Sequence, residues 1–171
     1  IMGRHSNIIL TTSEDRIIDA IKHVDHEVSS VREVMPARNY VAPPAQNKIS
    51  PEKLEVDDLL STEADIPAMG VEKFLLNTIK GFSPLLCSEV CFRAGVDGKS
   101  SMQNLSESDK ASLKTVLHNI ITDIASNSYS PCMTIDEAAS NKPLDFHCLL
   151  LKQFPNVLPL ASMSKALDSF Y

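Results

Sequence analysis

Leu75-Leu76-Asn77-Thr78-Ile79-Lys80-Gly81-Phe82-Ser83-Pro84-Leu85-Leu86 joins two helical patterns across a single glycine. Ahead of it and into it, Val71, Phe74, Leu75 and Ile79 recur at intervals of three and four, the spacing that lines one face of a helix. Gly81 is expected to end that helix, because glycine adopts the left-handed backbone of a helix terminus without a Cβ clash. Ser83 before Pro84 restarts one. The serine hydroxyl can accept from an orphan amide of the first turn, and proline at the first helical position gives up no donor that the helix needs. A second helix is therefore expected from about Pro84 to Arg93, with Gly95 as its terminator.

Further along, Ser106-Glu107-Ser108-Asp109 opens like a capping box, and Leu113, Val116, Leu117, Ile120, Ile121 and Ile124 form one apolar face of a helix. After Asn127 the text becomes strand-like, from Tyr129 to Ile135 and again from Leu144 to Phe154, with a polar turn from Asp136 to Asn141 between. Near the start, Asn7 to Thr12 is β-branched, Ser13-Glu14-Asp15 supplies turn residues, and Arg16 to Lys22 resumes the apolar pattern. A β-hairpin fits this text. So does an amphipathic helix through Ile17, Ile21 and Val24, and periodicity over so few residues does not separate them. Pro36, Pro43, Pro44 and Pro51 impose extended backbone from Ser30 onward, read as a strap over the surface. Acidic Glu55 to Leu60 leads into the helical part. The fold class is α+β, with β-rich lobes flanking a helical, helix-hairpin-helix-like middle. The expected parts are 1–53 (hairpin and proline-rich strap), 54–127 (helical) and 128–171 (second β lobe and the start of a C-terminal helix at Ser164 to Tyr171). A chain that begins at Ile1 and stops in such a helix reads as a piece of a longer protein.

The net charge of −6 is unevenly placed. Residues 1–53 hold seven basic and seven acidic side chains, and residues 54–171 hold nine and fifteen, so any contact with a polyanion must be local. No apolar run approaches the roughly 18 residues that a membrane span needs. The first residues lack the layout of a secretory signal. Four cysteines are too few for a disulfide scaffold, and Cys87 and Cys91 stand at i and i+4 of an expected helix, where thiols pack as small apolar groups. A reducing, cytoplasmic setting follows. No CxxC pair or Cys/His quartet suggests a metal, and His23 and His26 show no partner carboxylate or thiol at ligand spacing. Ser, His and Asp are plentiful, yet no GxSxG, HExxH, P-loop or GxGxxG motif frames them, so neither catalysis nor a cofactor is expected.

Two stretches are candidates for binding. At Lys80, Gly81 and Ser83 a tight turn could present helix-start amides beside a lysine and hold one phosphate, in the manner of nucleic-acid-binding helical hairpins. The competing reading is a plain αα-hairpin packed on the core. In Gly3-Arg4-His5-Ser6-Asn7, after Met2, Arg4 could clamp a phosphate or carboxylate and Gly3 permits close backbone approach. The competing reading there is a turn before a strand whose side chains tie down local backbone.

Met2 to Asn7 with Ile8-Ile9-Leu10, followed by Ile17 to Val24, resembles the NFACT-N domain of the RqcH/NEMF ribosome-quality-control family and its streptococcal and staphylococcal fibronectin/fibrinogen-binding relatives. Other landmarks fall in the family's order: Met35-Pro36, Tyr40 to Pro44, Gly81 to Leu86, Pro143 to Phe146 and Ser164 to Tyr171. The resemblance implies a two-lobed fold like that of formamidopyrimidine DNA glycosylases, of which residues 1–53 would end the first β lobe, without the glycosylase apparatus. It also implies partners, namely the large ribosomal subunit and tRNA, and support for untemplated alanine tailing of stalled chains. The family's Asp-Arg tRNA-contacting motif would lie upstream, and Asp15-Arg16 is not that motif because it follows Met2 to Asn7. The coiled coil and the NFACT-R domain would lie downstream. A surface adhesin for host fibronectin or fibrinogen is the rival reading, resting on the family's historical naming, with no secretion signal to explain export. A DNA glycosylase is the third, and it lacks lesion-processing residues and zinc-finger cysteines.

Overall fold

In the computed structural model, which describes residues 6–44, 47–61 and 68–171, the chain divides into two units, Ile1–Gln46 and Asn47–Tyr171. The front of the chain is a hairpin and not a helix. Strands β1 (Ile9–Thr11) and β2 (Ile17–Ala20) pair antiparallel, with Ile9 opposite Ala20 and a bulge at Leu10/Thr11. Thr12 Oγ1 closes the turn by accepting from the amides of Glu14 and Arg16 at 3.3 and 3.2 Å, and Asp15 takes the left-handed backbone the turn requires.

The proline-rich segment does more than pass over a surface. Ile17 N donates to Arg38 O and Ala37 N to Ile17 O, both at 2.8 Å, while Val24 and Val34 exchange amide-to-carbonyl bonds of 3.0 and 2.6 Å. An isolated two-stranded hairpin is marginal in water, so the returning backbone supplies what the free edge of β2 lacks. Pro36 falls between bonded residues, where its missing amide costs nothing. Ile17 and Val34 are thereby buried.

The second unit holds helices α1 (Val56–Ser61), α2 (Val71–Thr78), α3 (Pro84–Ala94) and α4 (Glu107–Ala125), then strands β3 (Cys132–Asp136), β4 (Lys142–His147) and β5 (Val157–Pro159), and helix α5 (Met163–Phe170). The sheet is antiparallel in the order β4-β3-β5. The class is thus α+β. Val71, Leu75, Leu86, Val90, Leu113, Leu117 and Ile120 from α2, α3 and α4 share one core with Leu149 from the segment after β4, so the helices and the strand part fold as one body. The caps follow the sequence closely. Ser83 Oγ accepts from Leu86 N, Gly95 closes α3 with a left-handed φ of 69° and an amide bond to Cys91 O, and Ser106 and Asp109 form a reciprocal capping box on α4.

Two expected boundaries move. The first helix ends at Thr78, not at Gly81, because Ile79 turns extended and bridges to Ile49: Ile49 N donates to Thr78 O at 2.8 Å and Lys80 N to Ile49 O at 2.9 Å. The run from Leu144 to Phe154 is not one strand either. Pairing begins earlier, at Lys142, and stops at His147, after which Leu149 and Leu151 turn inward and are buried. The third strand, β5, which the sequence does not signal, pairs with β3 instead.

What bends the chain away from the sheet is Glu89, a carboxylate with no exposed surface on α3. Its Oε1 accepts from Arg93 Nε at 2.6 Å and from Lys152 N at 2.7 Å, and its Oε2 from Gln153 N at 3.0 Å. Arg93 also donates to Leu150 O, and the Gln153 side chain bridges Leu85 O and the Ser88 hydroxyl. Among the described residues no buried side-chain nitrogen or oxygen is left without a partner. Cys87 and Cys91 pack as buried free thiols, and burial pushes both up to about 12, which keeps them protonated and unreactive.

Glu89→Ala removes three accepted bonds and strands the Arg93 cation, so an unfolding free-energy loss of about 3–5 kcal/mol is expected from urea titration; a loss below 1 kcal/mol, on the order of a surface change, would refute the role given to it. A pH effect is expected at His147. Its Nδ1 accepts from Leu149 N at 3.0 Å, and burial holds its pKa below the ordinary histidine range, so the folded state prefers the neutral ring. The unfolded chain then binds the extra proton. Stability contributed by this ring is complete above about pH 6.5 and is lost as pH falls toward the depressed folded value. His147→Asn, which keeps an acceptor near the Nδ1 position, is expected to flatten that part of the melting-temperature profile; a profile parallel to wild type would remove His147 as its cause.

Candidate functional site

Three of the residues singled out above lie on the connection between α2 and α3. Lys80 and Gly81 are exposed and Ser83 is half-buried. The sequence places them together because Ile79 is drawn into the core and toward Ile49, which leaves only Lys80 and Gly81 to reverse the chain before buried Phe82 and the Ser83 cap. Gly81 takes φ +84°, and a Cβ there would meet nothing within 4 Å, so the demand for glycine is one of backbone conformation and not of space.

The turn offers fewer donors than its sequence suggests. Leu86 N is taken by Ser83 Oγ at 3.2 Å, Pro84 has none, and Lys80 N is spent on Ile49 O. What remains is the exposed Lys80 ammonium beside the positive end of α3, with Leu85 N as the available early amide. That arrangement can attract one anionic oxygen group and has no partner for chemistry on it.

Of the other stretch, Gly3, Arg4 and His5 lie outside the described residues. Ser6 and Asn7 belong to the first unit. Asn7 grips the far strand: its Nδ2 donates to Lys22 O at 2.7 Å and its Oδ1 accepts from Lys22 N at 2.9 Å, so the side-chain amide acts as one more rung of the hairpin. Its amide thus serves the fold. Ser6 and Asn7 are on one unit and Lys80, Gly81 and Ser83 on the other.

His23 has a partner that its spacing was read as lacking. Its Nε2 lies 2.8 Å from Asp19 Oδ1, four residues back, and that bond with the Ala20 amide holds the Asp19 carboxyl below its ordinary range. The pair is exposed, and no group of three or more metal-ligating side chains occurs among the described residues. Two features went unread in the sequence. Glu89 had a signal, a carboxylate inside the apolar run Leu86, Cys87, Val90, Cys91 with arginine at i+4. A cleft of about 590 Å³ beside Asn7, lined also by Lys22, Val24 and Arg32, had none, because its cations stand ten residues apart in text read as hairpin and strap.

The family of NFACT N-terminal and middle domains matches residues 1–171. The Rqc2 homolog RqcH of Bacillus subtilis (strain 168) is 42% identical over 103 residues, 60% of this chain and 18% of that protein. The Rqc2 homolog RqcH of Streptococcus suis (strain 05ZYH33) is 35% identical over 101 residues, 57% of this chain and 17% of that protein. Among solved structures, the fibrinogen binding protein from Staphylococcus aureus superposes with a TM-score of 0.72 at 31% identity, covering all of this chain and 57% of that one. The N-terminal part of the fibronectin/fibrinogen-binding protein from Streptococcus suis gives 0.67 at 24% identity, covering all of this chain and 54% of that one, and speaks for the fold alone. The matched stretch spans less than a fifth of those curated relatives and a little over half of those solved chains.

Since the Gly81 Cβ would be unobstructed, Gly81→Val is expected to cost about 1–2 kcal/mol, the penalty of a left-handed backbone for an L side chain. Urea denaturation reads this, and Gly81→Asn, which tolerates that region, is expected to recover most of it. Equal stability of all three proteins would show that the turn does not need a left-handed residue.

Proposed function

Because the chain belongs to the family of NFACT N-terminal and middle domains, we propose that it works as an RNA-docking part of a ribosome-quality-control factor, engaging the stalled large ribosomal subunit and its tRNA in support of alanine tailing. The family match along all 171 residues carries this reading, and the two RqcH relatives give it direction. In it, the hairpin of α2 and α3 serves as the helix-hairpin-helix device of a formamidopyrimidine DNA glycosylase-like architecture, used for docking without lesion chemistry. Lys80 supplies a phosphate contact there, Gly81 and Ser83 shape the turn, and Arg4 with its neighbours supplies another contact from the first unit. The work is done in the cytoplasm, by binding and not by turnover.

A second reading is favoured by the name of the Staphylococcus aureus neighbour, at 31% identity: binding of host fibrinogen or fibronectin at the cell surface as an additional activity. No helix among the described residues is long and apolar enough to cross a membrane. Labelling of intact cells that never reaches the protein would count against it.

In the full-length protein, Lys80→Ala is expected to weaken binding to large subunits or tRNA and to lower the slope of log affinity against log salt by about one, with the fold unchanged. The same is expected of Arg4→Ala. Cross-linking in cells that captures neither subunit RNA nor tRNA would overturn the proposal, and unaltered slopes would return Lys80 and Arg4 to structural duties.

A further inference from the structure

The cleft of the first unit is built, side by side, from groups that backbone bonds hold in place. Asn7 fixes Lys22 through both its amide and its carbonyl. Val24 and Val34, joined by their two reciprocal bonds, both line it. The Asp25 carboxylate accepts from Glu27 N and Val28 N, each at 3.0 Å, which sets the turn that brings Val28 to the rim. Arg32 crosses toward Pro43 by donating Nη1 to Val41 O at 2.9 Å. That bond uses one of the five guanidinium donors.

Charge and shape then point the same way. Among the described residues the lining contains Lys22, Arg32 and His23 and no carboxylate, in a chain of net charge −6. Of the nearby acids, Asp19 is bonded to His23 of the lining, Asp25 to the turn amides and Glu33 to Arg38 at 3.1 Å. Among the described residues no carboxylate forms an ion pair with Arg32. The opposite side of the cleft is apolar, through Val24, Val28, Val34 and Pro43. Val28 leaves 72% of its surface exposed, which makes it accessible to a ligand at the rim. A volume of about 590 Å³ lies within the span of small-molecule sites. The complement of this lining is a ligand with an anionic group at one end and a flat apolar body at the other.

We propose that the cleft of the first unit seats one unstacked nucleotide of single-stranded RNA, with its phosphate on Arg32 and its base against Val24 and Val28. This rests on the RNA-docking reading and adds to it a site that neither the Met2 to Asn7 run nor the hairpin of α2 and α3 provides. Arginine suits the phosphate end because its planar fork can give two parallel bonds, whereas a bare cation patch would not select for the base. Single strands are recognised where a base can leave the stack, and a pre-formed apolar wall lowers the cost of its doing so.

The test measures binding of a labelled single-stranded RNA of mixed sequence to the full-length protein and to its Arg32→Gln, Arg32→Lys, Val28→Glu and Lys80→Ala variants. Arg32→Gln and Val28→Glu are each expected to weaken binding about tenfold or more, the first by loss of one charge-assisted contact and the second by placing a carboxylate against the phosphate and base. Arg32→Lys should recover part of the first loss. Adenosine monophosphate should compete and should shift the methyl resonances of Val24 and Val28, while inorganic phosphate at equal concentration should compete poorly. Wild-type affinity in both Arg32→Gln and Val28→Glu, with Lys80→Ala impaired, would overturn this site and leave the RNA-docking reading standing. Failure of the wild-type protein to bind the RNA would overturn both. Equal competition by inorganic phosphate would show a simple anion site and refute the seated base. Val28 is exposed, so Val28→Glu tests the cleft even where Arg32→Gln melts early.

Discussion

The second unit depends on a carboxylate taken wholly out of water. Moving Glu89 from solvent into the core costs several kcal/mol, and the cost is offset only because Arg93 and two backbone amides meet both of its oxygens. Those amides belong to Lys152 and Gln153, which are 63 and 64 residues away in sequence. The same network therefore dictates where the chain after β4 must run, and with it which leucines enter the core. A hydrophobic substitute would stabilise the helix packing just as well and would not specify this path, so what the ion pair contributes is choice of conformation more than raw stability.

The first unit is held together by other means. Its buried apolar side chains among the described residues are Ile17 and Val34, too few for a core, while Ile8, Leu10, Ile18 and Ile21 stay exposed. Backbone pairing does the work instead. The hairpin, the returning segment at Met35–Tyr40 and the Asn7 amide give the short strands bonds on more than one edge, which a two-stranded ribbon alone would lack. The preorganisation of the cleft follows from this economy, since the bonds that replace a core are the ones that fix its walls.

How much of this was legible depended on whether the determining interaction was local. Ser83, Pro84, Gly95 and the Ser106 to Asp109 box act within one helical turn, and each does what its sequence says. The β-hairpin was legible as one of two options, decided by backbone bonds to residues about twenty positions on. The end of α2 at Thr78 was not, because a bridge to Ile49 overrides the preference of Gly81 for a helix terminus. Nor was the break after His147. Leu149, Leu150 and Leu151 carry strand propensity, and only the amide demand of Glu89 in a distant helix turns them away. For the candidate binding residues, type was readable and availability was not: Ser83 and Asn7 have the right groups for a ligand, and both spend them on backbone.

The proposed docking on a polyanion sets an acidic protein an electrostatic problem, and the placement of charge here suits a short-range solution. At physiological ionic strength the screening length is about 8 Å, so the carboxylates on remote surfaces repel a phosphate far less than their number suggests. A cation counts where it stands without an acidic neighbour. Arg32 meets that condition among the described residues, whereas Arg93, Arg38 and Lys114 are each paired with a carboxylate. Lys80, exposed on the turn after α2, takes part in none of the ion pairs found there either. Arg32 and Lys80 are thus two local positive points on an otherwise negative chain. A net negative field weakens non-specific adsorption to nucleic acid and favours a partner whose phosphates match local cations, which is the discrimination the proposed docking on one state of a ribosome would need.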